Sequence, residues 1–430
     1  MSTEAGGFAP AAKSEAQAQS QPAGDEYSCE VLVIGAGPAG SAAARMLAQA
    51  GLDVLQVDQY PLGRDKVCGD GLIPDALAAL GRLGLLDQVM ARARRLSHVA
   101  CIGPSGGRID VPGHVAVLPR RELDELLCLG AQAAGARFLA PAKFEAPLLD
   151  AQGKVIGAML SLAGQPIEVR ASWVILATGA VPKALAAAGL CERHTPSCVA
   201  LRGYVRAPSL VGRIKALELV WSHAVRPGYG WIFPAPEGCF NIGVGVTDSH
   251  RVTGGKGAKK ALNLRDIFDA FVRDYEPAAT LMREGEMVGE LKGAPLRCSL
   301  DGARWSRPGL LATGEAAGST YSFTGEGIGK AMETAMLAAD AILAGHSKGW
   351  DDAAVRASYE EGLQALKPRF ALYEKANRIS TYPFLADLLI WRAQRSSRLL
   401  ARMSGVINET SNPGQLVTFK GLARLITEWK

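Results

Sequence analysis

Apolar residues fall along this chain in two periods, and the switches between them outline its elements. The unbroken apolar run Val31-Leu32-Val33-Ile34 has the length of a strand buried on both faces, and it stops at Gly35. From Ala42 to Gln49 the pattern is helical until Gly51 ends it, and Val54-Leu55-Gln56-Val57 returns to strand. Trp173-Val174-Ile175-Leu176 and Leu310-Leu311-Ala312 repeat the buried-strand pattern, each running into a small-residue turn. Period-two alternation with Gly and Pro punctuation marks 98–117 as strands of a second sheet, 142–169 as hairpin-like strands and 201–247 as strand-rich. Helical spacing predicts helices from about Pro74, over 120–135, over 263–275, from the 324–329 turn through Leu343, and through most of 353–430. In the second of these, Leu123, Leu126, Leu127 and Leu129 are assigned to the apolar side. The class predicted is α/β with an α+β second lobe and a helical C-terminal tail.

The first strand-to-helix junction carries the strongest chemical signal. It reads Gly35-Ala-Gly37-Pro38-Ala39-Gly40 between strand and helix, and the following strand ends on Asp58. Gly35 permits the tight turn, Gly37 lets backbone N–H groups approach a pyrophosphate, and Gly40 lets the helix pack close to the sheet. Asp58 stands about twenty residues on, where a carboxylate can accept from ribose hydroxyls. A glycine triplet alone is weak; between two strand patterns, with the acid in place, it implies an ADP-containing dinucleotide. No second such triplet follows a strand, so no separate nicotinamide-binding domain is expected.

Composition narrows the classes. A chain of 430 residues exceeds a usual single core, so two or more lobes are expected. The net charge of +5 is too mild to suggest nucleic acid. Eight cysteines lie scattered without a C-x-x-C pair, and six histidines miss ligand spacing, so neither metal nor disulfide framework is expected. That cysteine usage suits a reducing compartment, hence the cytoplasm. Residues 1–27, rich in Ala, Gln, Ser and Gly, read as a disordered leader without the apolar segment of a signal peptide. Nowhere do about eighteen apolar residues run together.

Four further stretches hold candidate chemistry. Arg64 and Lys66 flank Cys68, with Gly69 and Gly71 beyond; positive neighbours lower a thiol's pKa, although a structural cysteine in a glycine turn fits the same letters. Arg120-Arg121 opens a helix against its own dipole, so one arginine is expected to face a phosphate or carboxylate, or both are solvated. Tyr229, Trp231 and Phe233 share one strand face, lining a cavity or packing a core. The segment 384–403 mixes Leu, Ile and Trp with Arg392, Arg395, Arg398 and Arg402, as a membrane-surface helix, a lid over an apolar substrate or a packed helix would.

Taken together, Gly35-x-Gly37-x-x-Gly40, Arg64-Asp-Lys66-Val-Cys68-Gly69, Arg120-x-x-Leu123-Asp124, Ala177-Thr178-Gly179 and Gly314-Glu315-Ala-Ala-Gly318 resemble the FAD-binding elements of the hydroxylase-type flavoprotein superfamily. Within it, Tyr229-x-Trp231-x-Phe233-Pro234, the Lys-x-Cys-Gly loop and Thr324-Gly325-Glu326-Gly327-Ile328 are similar to the geranylgeranyl reductase family. The match covers about 28–344. It implies a Rossmann-like FAD-binding domain (28–97, 119–185 and 296–345) interleaved with an antiparallel-sheet substrate domain (98–118 and 186–295), then a helical region over 346–430.

Position by position, the resemblance implies that Gly35, Gly37, Pro38, Ala39 and Gly40 cradle the FAD pyrophosphate. Asp58 and Gln59 would hold the adenosine ribose. Arg64, Lys66, Gly69, Arg120, Ala177, Thr178, Gly179, Gly314 and Glu315 would adjoin FAD, and the turn of Gly325, Gly327, Ile328 and Gly329 would meet the isoalloxazine. Cys68 would lie by the flavin ring as the candidate catalytic residue. Tyr229, Trp231 and Phe233 would line the prenyl channel. Where the family usually carries Asp, this chain has Glu315; where an acid ends the strand, it has Thr178; Lys330 stands where a small or aromatic residue is usual.

The expected activity is reduction of C=C bonds in a prenyl, lipid-like substrate, with NADPH, ferredoxin or another donor as reductant. The expected location is cytoplasmic, at the inner surface of the membrane if the basic tail docks there. Two alternatives stay open: an oxygen-using hydroxylase or halogenase of the same superfamily, and a flavin electron-transfer protein at the membrane surface.

Overall fold

The computed structural model describes residues 27–249 and 263–414. The expected leader, and the last residues of the helical tail, lie outside the described residues. Two eight-stranded sheets organise the chain.

The first sheet is built around Tyr27–Ile34, whose C-terminal half is fully buried. It pairs in parallel with Val54–Val57 on one side and with Gln165–Leu176 on the other. Leu310–Ala312 continues the parallel order beyond Gln165–Leu176, and Arg137–Leu139 beyond Val54–Val57. The hairpin Ala142–Leu149 and Val155–Leu162 joins by running antiparallel to the first half of Gln165–Leu176. That strand is longer than its apolar run suggested because its polar first half has this separate partner. Helix Pro38–Gln49 packs between Arg120–Ala133 and Ile328–Lys348 on one face. Gly40 makes the close approach: a Cβ there would run into the Gly35 carbonyl.

The second sheet orders its strands as Glu286–Leu296, Cys198–Arg206, Cys239–Val246, Gly228–Pro234, Leu217–Val220, Arg94–Ile102, Arg108–Val117 and Gly71–Leu72. All neighbours are antiparallel except Leu217–Val220 with Arg94–Ile102. Its two faces follow the period of two. Ile232, Ile242 and Val244 pack against Phe268, Phe271 and Leu281 from the helices Leu264–Asp274 and Glu276–Glu284. Gly230 lies on that face because the Phe271 ring fills the space where a side chain would stand. Tyr229, Trp231 and Phe233 therefore point the other way, toward the first sheet.

The C-terminal helices Phe384–Ala393 and Ser397–Ile407 fold back over this sheet. Leu385, Leu389 and Ile390 join Trp221 in one cluster against which Tyr229, Cys101 and Leu219 pack. Asp387 fastens the first helix by accepting hydrogen bonds from the Ser105 backbone N–H at 3.0 Å and hydroxyl at 2.7 Å. Among the described residues, no helix is long and apolar enough to cross a membrane.

One assignment is corrected. Leu129 does not join the apolar side of its helix but is 47 % exposed, whereas Leu123, Leu126 and Leu127 are buried. At 100° per residue it lies well off the stripe those three define.

Candidate active site

A cavity of about 680 Å³ runs between the two sheets, from the glycine-rich turn of the first to the aromatic row of the second. Its volume falls in the range of small-molecule sites. At one end, Gly37 caps helix Pro38–Gln49 with no side chain on its N–H groups and no acid in the first turn. The positive helix end is thus left open toward the cavity. Gly35 has φ +113°, and a Cβ there would strike the Ala177 carbonyl. Asp58 accepts from the Ala36 backbone N–H at 2.8 Å and the Tyr60 N–H at 2.9 Å, so it also fixes the turn it follows.

Most of the residues singled out in the sequence meet here. Gly35, Gly37, Pro38, Ala39, Asp58, Gln59, Arg64, Lys66, Cys68, Gly69, Arg120, Ala177, Thr178, Gly179, Glu315, Gly325, Gly327 and Ile328 all line the cavity, as do Tyr229, Trp231 and Phe233. Gly40, Gly314 and Gly329 do not. They are spacers behind the wall: Gly314 lies against Ala39, and Gly329 against Asp75. The Thr178 hydroxyl is buried without a protein partner, a polar atom left for a ligand. Arg120 is the arginine that faces a carboxylate, gripping Asp124 at 2.7 and 2.8 Å, while Arg121 is exposed.

Sequence reasoning missed the network behind the Cys68 loop. Asp70 is fully buried, with φ +65°. Its carboxylate accepts from the Tyr204 hydroxyl at 2.5 Å, the Asn241 amide at 2.7 Å and the Arg120 backbone N–H at 3.2 Å. Asn241 also donates to the Cys68 carbonyl at 2.7 Å and accepts from Trp231 Nε1 at 2.9 Å. Arg202, fully buried, pairs with Asp65 and stacks on the Tyr204 ring. The only letters that hinted at this were a polar Asn and Arg inside apolar strands.

The expectation that Arg64 and Lys66 lower the Cys68 pKa is corrected. Burial pushes the thiol up, Arg120 is the cation that opposes this, and Asp70 adds to the rise. Arg64 turns instead toward Asp58, 3.7 Å away, and Asp124, 3.9 Å away. Cys68 is a thiol at neutral pH. Two more thiols, Cys198 and Cys298, touch at 3.5 Å and also line the cavity.

The aromatic end is apolar. Tyr229, Trp231 and Phe233 follow one another at 6.3 Å between rings. Leu217, Leu219, Val99, Ile73, Val406 and Ile407 complete the wall. Tyr229 spends its hydroxyl on the Thr324 carbonyl at 2.7 Å.

A parallel sheet with an uncapped glycine-rich helix start, a ribose-spaced carboxylate and an attached antiparallel lobe defines an FAD-binding flavoprotein oxidoreductase. The family model of the FAD binding domain matches residues 28–203. The menaquinone reductase of Mycobacterium tuberculosis is 35% identical over 73% of this chain and 76% of its own length. The digeranylgeranylglycerophospholipid reductase of Methanosarcina mazei is 30% identical over 76% of this chain and 77% of its own. A solved geranylgeranyl bacteriochlorophyll reductase-like protein from Thermoplasma acidophilum superposes with TM-score 0.69 at 22% identity, covering 94% of this chain and 97% of that one. A flavin-dependent brominase shares the fold at TM-score 0.72 and 18% identity, over 93% of this chain and 98% of its own. The chain belongs to the geranylgeranyl reductase family of FAD-dependent oxidoreductases.

Asp70 yields a pH prediction. Burial raises its carboxyl from 3.8 to about 6 despite three donors. The folded state thus keeps this proton up to about pH 6, while the unfolded chain releases it near 3.8. The contribution to stability is full below 3.8 and is lost as pH rises through 6, roughly 3 kcal/mol in all. Asp70→Asn is expected to remove that slope. Chemical denaturation of both proteins between pH 4 and 7 checks it, and parallel pH profiles would refute the assignment.

Proposed function

We propose that this protein reduces C=C bonds of a prenyl, lipid-like substrate. The observation that carries the reading is one continuous cavity, polar at the dinucleotide-binding turn and lined by aromatic and aliphatic side chains at the other end. Bound FAD, once reduced, supplies hydride to one alkene carbon. The glycine turn, Asp58 and the Thr178 hydroxyl would hold the cofactor, with Glu315 at its ribityl or pyrophosphate region and the 325–329 turn beside its ring. The aromatic row aligns the chain's double bond and excludes water. An isolated alkene develops little charge for the protein to stabilise, so positioning supplies much of the rate.

In this reading Cys68 contacts the flavin as a neutral thiol, donating a proton or tuning the ring. The first sheet, on this reading, carries the FAD lobe and the second sheet the substrate lobe. NADPH and ferredoxin are the donors to assay. A hydroxylase or halogenase would share the fold; the named reductase relatives at 30% identity or more favour reduction.

The same reading extends to the membrane. Helix Phe384–Ala393 is apolar on both sides: Leu385, Leu389 and Ile390 face the core, while Phe384 and Trp391 are 59 % and 43 % exposed. Tyr382 beside them is half exposed, and Arg395, Arg398 and Arg402 are exposed on the same tail. Aromatic side chains among arginines suit an anionic lipid surface.

The decisive assay is anaerobic. The chemically reduced holoprotein, mixed with a geranylgeranyl lipid, is expected to reoxidise its flavin and yield products heavier by pairs of hydrogens on mass analysis. Reoxidation only after oxygen is admitted would refute the reductase reading for that substrate. In the same assay Cys68→Ser is expected to slow flavin oxidation; unchanged turnover would remove Cys68 from the chemistry.

For the surface, Phe384→Asp with Trp391→Ala is expected to weaken co-sedimentation with vesicles of anionic lipid at least tenfold, with neutral vesicles binding poorly throughout. Equal binding by the variant would refute the docking face.

A further inference from the structure

One buried cluster of titratable groups adjoins the cavity and is used by nothing described above. Glu326 lines the cavity at the turn before helix Ile328–Lys348 and is 7 % exposed. One carboxyl oxygen accepts from the Gly329 N–H at 2.7 Å; no donor among the described residues reaches the other. Behind it Lys330, 2 % exposed, stands 3.3 Å from Asp75, 2.7 Å from Glu333 and 2.9 Å from Glu409. Glu409 is held in turn by Arg369 at 2.9 Å, which reaches the surface. Four carboxyls, from Asp75, Glu326, Glu333 and Glu409, thus face two cations, Lys330 and Arg369.

Such an excess of buried acid retains protons. Asp75 Oδ2 makes no hydrogen bond within the described residues beyond its 3.3 Å ion pair with Lys330. Burial, reinforced by the charge of Asp75, pushes Glu326 well above the ordinary carboxyl range, and burial pushes Asp75 up to about 6. Tyr321 and Tyr373, stacked at 3.9 Å, cover the cluster and stay neutral.

Other donors facing the cavity are poorer choices. The Tyr229 hydroxyl is committed to the Thr324 carbonyl. The Cys68 sulfur already accepts from the Asp70 N–H at 3.3 Å, and burial makes its proton hard to release.

Resting on the reductase reading, we propose that Glu326 is the catalytic acid, and that Asp75, Lys330 and Glu409 return its proton from the surface at Arg369. The alkene π bond and the Glu326 O–H bond break, and two C–H bonds form. One carbon receives hydride from reduced FAD, which is thereby oxidised. The other carbon receives the Glu326 proton, leaving a carboxylate to be refilled. This leaves Cys68 the tuning role.

The test uses the FAD-loaded protein and reads the proton directly as well as the rate. At neutral pH the wild type is expected to show the infrared carbonyl band of an un-ionised carboxyl group, shifted by carboxyl-¹³C glutamate labelling and missing in Glu326→Gln. Glu326→Gln is expected to keep its FAD, and its single-turnover flavin oxidation by the prenyl lipid to slow by about 100-fold or more. Glu326→Asp, which keeps an acid, is expected to recover part of the rate. A wild type without a glutamate-sensitive band, or Glu326→Gln within about threefold of wild type, would overturn the proposal. Failure of the wild type itself to oxidise its flavin with the prenyl lipid would instead take down the reductase reading, and the acid role with it.

Discussion

The buried carboxylate of Asp70 holds the two halves of the site together. It stands in a left-handed conformation, where a short polar side chain is among the few tolerated without glycine. Its donors come from three different elements: Tyr204 and Asn241 from two strands of the second sheet, and the backbone N–H of Arg120 from a helix covering the first. Left without donors, a buried carboxylate would cost several kcal/mol. The Cys68 loop therefore has one low-energy position, pressed between the dinucleotide turn and the aromatic row. Asn241 extends the constraint to Trp231, so the orientation of one cavity wall depends on the same carboxylate.

This frame explains how one cavity serves two chemistries. The polar end relies on backbone: helix N–H groups, a fixed carboxylate and glycines that clear space. The apolar end relies on side chains whose polar atoms are already satisfied within the protein. Tyr229 and Trp231 turn their hydrogen-bonding groups to Thr324 and Asn241, presenting ring surface to the cavity. Ring surface whose polar atoms are already paired is what the proposed apolar substrate would meet there. The acidic cluster at Glu326 sits where the two ends meet.

Local patterns were legible where a residue's role depends on its near neighbours. The glycine turn, the parallel strands and the shared face of positions 229, 231 and 233 all follow from spacing alone, whereas whether that face met a cavity or a core did not. What spacing could not show were partners distant in sequence. Asp70 and Asn241 are 171 residues apart, and Arg202 meets Asp65 across 137. The Cys68 loop was misread for the same reason. Neighbouring letters supplied two cations, whereas in space one cation and much buried surface decide the thiol's state. Leu129 shows the limit inside a helix, where an apolar letter one position off the stripe faces water.

The helix over the aromatic row carries apolar side chains above and below, and Asp387 moors it to the hairpin turn at Ser105. For a prenyl chain the main obstacle to reaching any protein is leaving the bilayer, since each methylene exposed to water costs about 0.8 kcal/mol. Under the proposed membrane docking, a roof that is greasy on both sides would turn that crossing into an exchange between two hydrocarbon surroundings. For the proposed substrate, the barrier to uptake would then lie in parting the Asp387–Ser105 contacts of one short helix rather than in desolvating a lipid.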